Sequence, residues 1–83
     1  MKTPYLLVSD HLSDDTVEAL KELYAEARRR NDPIIGIAFA AMYRGRRYIV
    51  NTAGECRRNP DWTRAMIAAL DDRLSEQVAS RSP

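Results

Sequence analysis

Apolar residues recur along this chain with two different periods, and the changes of period mark its elements. Between Asp14 and Arg30, Val17, Leu20, Leu23, Tyr24 and Ala27 fall on one side at helical spacing, opposite Glu18, Lys21, Glu22, Glu26 and Arg29. Ser13 is placed as N-cap, with Asp14 and Asp15 against the positive end of the helix and Leu12 before the cap, where it can staple onto Val17. Arg28, Arg29 and Arg30 sit at the negative end, Asn31 can take a left-handed cap position, and Pro33 forbids continuation. These signals predict a first helix within 13–31.

From Ile34 the period falls to two. Ile35, Ile37, Phe39, Ala41 and Tyr43 point one way and Ile34, Gly36, Ala38, Ala40 and Met42 the other, so the strand is apolar on both faces. A second strand begins at Arg47 and gives out at Asn51-Thr52-Ala53-Gly54. With Gly45-Arg46 as a two-residue turn, Tyr43 would pair with Tyr48, Ala41 with Val50 and Phe39 with Thr52. The expected hairpin, 33–54, then has one bulky and one small face.

After a polar loop, Glu55-Cys56-Arg57-Arg58, Asn59 reads as a cap and Pro60 as the first helical residue. Trp62, Met66, Ile67, Ala69, Leu70, Leu74 and Val78 form an apolar arc wider than a two-stranded sheet requires, predicting a second helix over 59–79 with a fraying end from Ser80 to Pro83. Residues 1–12 hold one short apolar run, Tyr5-Leu6-Leu7-Val8, readable as an edge strand or an arm.

The expected fold is α+β: α-β-β-α, a central antiparallel hairpin flanked by two helices in a single domain over 1–83. A domain of 83 residues buries about two-thirds of its unfolded surface, and a lone hairpin is marginal. Two helices cover one face of such a hairpin. A homodimer or higher oligomer, joined edge to edge or stacked through the uncovered faces, is therefore expected.

Charge narrows the possible partners. The formal net charge is +1, so no global field draws the chain to nucleic acid or to a membrane, and what remains is local: Arg28 to Arg30, Arg44 with Arg46 and Arg47, and Arg57 with Arg58. A single cysteine, Cys56, excludes an internal disulfide framework, and the apolar run near the start is too short for a signal-peptide core or a membrane span, which predicts a cytoplasmic protein.

The topology places Asn51 to Arg58 and the start of the second helix together at the base of the hairpin, opposite the arginine-rich tip. There, helix-terminal amides attract anions, Arg57 and Arg58 can clamp a phosphate, Asn51 and Thr52 offer donors and acceptors to a ribose or base, and Trp62 can stack on a ligand ring. The same residues also fit a plain strand end and a solvated loop. At the tip, Arg44, Arg46 and Arg47 beside Tyr43 and Tyr48 suit contact with a nucleic-acid backbone, or simply keep the sheet soluble. One histidine, His11, and one cysteine supply neither a triad nor a zinc site, so no cofactor, metal or catalytic set is expected.

With DDTVEALKELYAEARR, then GIAFAAMYRGRRYIVNTAGE, then a proline-started helix ending in ALDDRLSE, the chain resembles short α-β-β-α proteins of bacteriophages and prophages across residues 13–78. Small oligomeric phage proteins of this size include inhibitors of host immunity that hold nucleotide-derived messengers between subunits. The resemblance implies a non-enzymatic anti-defence protein that sequesters a phosphorylated, nucleotide-like signal in the host cytoplasm. The alternative is a macromolecular interaction module, binding nucleic acid through the tip or inhibiting a host enzyme directly.

Overall fold

The structure, a computed structural model, describes residues 7–8 and 11–81. Its elements run α1 (Thr16–Ala27), β1 (Gly36–Met42), β2 (Tyr48–Gly54), α2 (Glu55–Arg58) and α3 (Pro60–Arg81). The two strands form one antiparallel sheet, so the layout is the expected α-β-β-α arrangement of an α+β protein, with a four-residue helical turn inserted between the sheet and the second long helix. Of the apolar run near the start, Tyr5 and Leu6 lie outside the described residues, whereas Leu7 and Val8 are exposed and belong to no strand.

The helix ends differ from their sequence signals. Asp15, not Ser13, caps α1: its carboxylate accepts from the Glu18 amide at 3.0 Å, while the Ser13 hydroxyl accepts from the Asp15 amide at 3.2 Å. Ser13 thus orders the turn before the helix, and Asp15, with its extended backbone, takes the cap. At the other end the left-handed residue is Asp32 (φ 53°), not Asn31. The Ile34 amide donates to the Glu26 carbonyl at 3.2 Å, tying the start of the sheet to the last turn of α1.

The hairpin is shifted by one residue from the expected register. Met42 pairs with Tyr48, Ala40 with Val50, Ala38 with Thr52 and Gly36 with Gly54; between them Ala41 pairs with Ile49, Phe39 with Asn51 and Ile37 with Ala53. The cause lies in the turn. Gly45 (φ 80°) and Arg46 (φ 65°) both adopt positive φ, and the Tyr43 amide donates to the Arg47 carbonyl at 2.8 Å, so the loop holds three residues rather than two.

Because side chains alternate, the slip moves every residue of β2 to the face opposite the expected one. One face now carries Ala38, Ala40, Met42, Tyr48, Val50 and Thr52, and the other carries Ile37, Phe39, Ala41, Ile49, Asn51 and Ala53. The first is the more open towards the tip: Met42 is 88% exposed, against 38% for Phe39 on the second.

The expected polar loop at 55–58 is instead the helical turn α2. Gly54, at φ 66° and ψ −142°, reverses the chain in a conformation that glycine adopts without a Cβ clash, and the Glu55 amide then donates to the Ile35 carbonyl at 3.0 Å. Asn59 does not cap α3 with its side-chain oxygen; its side-chain amide donates back to the Glu55 carbonyl and carboxylate, each at 3.1 Å. Pro60 opens α3 as expected, and the helix continues to Arg81, past the expected fray point at Ser80.

α2 lies against both strands and against α3, which makes this four-residue turn the joint of the fold. Among the described residues only Cys56 and Thr63 are buried. The Thr63 hydroxyl donates within 2.9 Å of both the Cys56 and Asn59 carbonyls, fastening α3 to α2. Gly36 allows this approach: a Cβ there would stand 2.5 Å from the Cys56 backbone nitrogen.

Gly36→Ala is expected to lower stability by at least the ~1–3 kcal/mol typical of overpacking, because the obstructing atom is backbone. Ala38→Ser, on the same face two residues on, should cost much less. Equal midpoints in urea for Gly36→Ala and the unmodified chain would contradict this account of the joint.

Candidate functional site

The base cluster grows out of the hydrogen-bond pattern of the hairpin. The bonds that close the ladder at either end, Tyr43 to Arg47 and Glu55 to Ile35, place the odd-numbered amides and carbonyls between the strands. Even-numbered residues of β1 and β2 therefore direct theirs outward, along the two edges of the sheet. Thr52 is one of these.

Both outward groups of Thr52 are capped by side chains. Its amide donates to Asn51 Oδ1 at 2.8 Å, and its carbonyl accepts from Arg57 Nε at 3.1 Å and Arg57 Nη2 at 2.7 Å. Arg57 Nη2 also donates to Asn51 Oδ1 at 2.8 Å, closing a ring of three residues. α2 makes this possible by bringing Arg57 back along the edge of β2.

Three of the five base residues expected from sequence, Asn51, Thr52 and Arg57, thus meet in one network. Their geometry differs from an open anion clamp, since Arg57 commits Nε and Nη2 to its own chain. Arg58 points elsewhere: its Nη1 lies 2.6 Å from Glu55 Oε1 in an ion pair whose two side chains are 73% and 43% exposed. Such an exposed pair contributes about 0–1 kcal/mol, so Arg58 can exchange Glu55 for another anion at little cost. Trp62, in the first turn of α3, is about half exposed.

Arg28 and Arg29, at the end of the first helix, turn back on α1. Arg28 Nη1 donates to the Tyr24 hydroxyl at 3.0 Å with its guanidinium over the ring, and Arg29 pairs with Glu26 at 2.9 Å. At the tip, the Arg47 guanidinium stacks 5.0 Å from the centroid of Tyr43, and its Nε donates to the Arg44 carbonyl at 3.4 Å. A shallow, largely apolar depression of about 300 Å³ lies beside it, lined by Ala40, Ala41, Met42, Arg46, Arg47 and Tyr48. The alternation of strand residues gave Tyr43 and Tyr48 as neighbours, but the depression depends on the register.

Among the described residues no group of His, Cys, Asp and Glu side chains could hold a metal ion, and no helix is long and apolar enough to cross a membrane. Comparison with protein-family models, with curated proteins and with solved structures gave no match.

If Asn51 and Arg57 cap the edge, the Thr52 amide exchanges slowly with solvent in the unmodified protein. Asn51→Ala should then speed exchange at Thr52 about five- to tenfold, the equivalent of one hydrogen bond of ~1 kcal/mol. Hydrogen exchange followed by NMR checks this, and a Thr52 amide that already exchanges at the unprotected rate would contradict the capping geometry.

Proposed function

We propose that this chain is the subunit of a non-enzymatic homo-oligomer that captures a small phosphorylated, nucleotide-like ligand near the hairpin base. The observation that carries the reading is the incompleteness of the single subunit. Large apolar side chains are exposed on α1, both strands and α3, including Leu20, Met42, Val50 and Leu74, while the buried described residues number two. A chain of this kind gains most by covering those surfaces with further copies.

The base supplies the anion-binding half of the proposal. Among the described residues Arg58 is held by an exposed ion pair, Trp62 is about half exposed, and the Asn51-Thr52-Arg57 network forms a polar wall on the edge of β2. In the setting implied by the resemblance to small phage proteins, a protein of this kind would blunt a host defence by holding its nucleotide signal.

Calorimetry and thermal-shift measurements across cyclic dinucleotides and ADP-ribose derivatives test the reading. The expected result is a saturable ligand whose affinity falls at least tenfold in Arg58→Ala. A screen without binding, or affinity unchanged by Arg58→Ala and by Trp62→Ala, would refute it.

The exposed stack of Arg47 on Tyr43 beside the tip depression favours a second reading, a nucleic-acid contact. In a filter-binding series such contact must weaken steeply with salt and be lost in Arg44→Ala plus Arg47→Ala. Salt-independent or absent retention would remove it.

A further inference from the structure

The two edges of the sheet are treated differently by the chain. On β2 the outward amide and carbonyl of Thr52 are sealed by Asn51 and Arg57. The outward groups of Tyr48 and Val50 on β2 and of Ala38, Ala40 and Met42 on β1 have no partner among the described residues, so β1 is open along its whole length and β2 only towards the tip. Protein edges are normally blunted by charge, proline, bulges or cover. The β1 sequence Gly36–Met42 is uncharged, free of proline and regular in its pairing.

We infer that the open edge of β1 is the surface through which a second copy of this chain joins, β1 against β1 in antiparallel register, making a continuous four-stranded sheet. The inference rests on the oligomeric part of the function proposed above and specifies the surface used. Three observations favour a second copy as the occupant. The edge is self-complementary: centred on Ala40, a two-fold sets Ala40 opposite its own copy and Ala38 opposite the partner subunit's Met42, and every outward group of the three residues is paired. The side chains at the axis are small, so two strands approach without a clash.

The third observation is area. The chain exposes 7958 Å², whereas a folded monomer of this size exposes about 5,000 Å². The excess is several times the roughly 800 Å² that each partner buries in a standard interface. Joining β1 to β1 also extends each apolar face of the sheet across the two-fold, placing Phe39 of one subunit opposite Ala41 of the partner subunit. Asn51 and Arg57 then act as a guard at the base end of β2: by capping Thr52 they shorten the stretch of that edge open to pairing and favour assembly through β1.

Paired cysteine and proline variants of the full chain test this. An outward-directed amide can be lost to proline without breaking a bond of the hairpin itself. In native mass spectrometry and light scattering, Ala40→Pro is expected to shift the oligomer towards half its size or smaller, while Val50→Pro, on the opposite edge, leaves it intact. Circular dichroism establishes that both remain folded.

Independently of those variants, Ala40→Cys in a Cys56→Ser background should form a covalent dimer on mild oxidation, because directly opposed, hydrogen-bonded strand residues lie about 5.5 Å apart between Cα atoms, within disulfide reach. Val50→Cys in the same background should not. An unmodified chain that is monomeric at micromolar concentration overturns this inference together with the oligomeric part of the proposed function, and that includes the case in which residues 1–10 of the same chain cover the edge. An oligomer that cross-links through Val50→Cys, or not at all through Ala40→Cys, overturns the β1 edge while leaving that function standing.

Discussion

The fold depends on the approach of one helical turn to one glycine. α2 lies with the Cys56 backbone nitrogen 2.5 Å from where a Cβ of Gly36 would be, and that contact lets a four-residue turn touch both strands and α3 at once. From it follow the burial of Cys56 and Thr63, the position of α3, and the return of Arg57 along β2. Little else holds the subunit together. α1 is linked to the sheet by the backbone bond from Ile34 to Glu26 and packs closely against none of the other elements. The packing is therefore concentrated at the hairpin base, and the tip and the helices carry apolar surface outward.

That distribution connects stability to assembly. A hydrophobic side chain left in water contributes nothing of the ~1.5–3 kcal/mol that full burial of a large apolar residue provides. The chain carries many such residues on α1, β1, β2 and α3. Under the proposal of a homo-oligomer, the conformational cost of ordering these elements is offset between subunits rather than within one. The hairpin then joins subunits, and the base gives them a polar rim of Asn51, Thr52, Arg57 and Arg58.

The base also illustrates how one residue type serves two purposes. Arginine forks suit phosphate and carboxylate equally well, and they suit a backbone carbonyl at a sheet edge. Arg57 takes the carbonyl, because α2 delivers it to the one outward-facing residue whose amide is already held by Asn51. Arg58, one residue on, points away from the edge and meets Glu55, its neighbour one helical turn back. Adjacent residues on a helix face different directions, and the two arginines here bond to different partners.

The alternation of apolar residues from Ile34 to Met42 and the polar break at Asn51 were enough to read the hairpin, and the 3.6-residue pattern with Pro60 at its start was enough to read both long helices. Those features are local, set by side-chain period and by the backbone limits of proline. Local rules also brought Asn51, Thr52 and Arg57 to one end of the sheet. The register was not legible, because it turns on Arg46 adopting a positive φ that its residue type does not favour, and one extra loop residue exchanges the faces of β2. Nor was α2, whose four residues are too few to show a period. Which strand edge is sealed, and what Arg57 bonds to, follow from that turn and that register together, since both require Thr52 to point outward at the place where α2 returns. These were decided by tertiary structure alone.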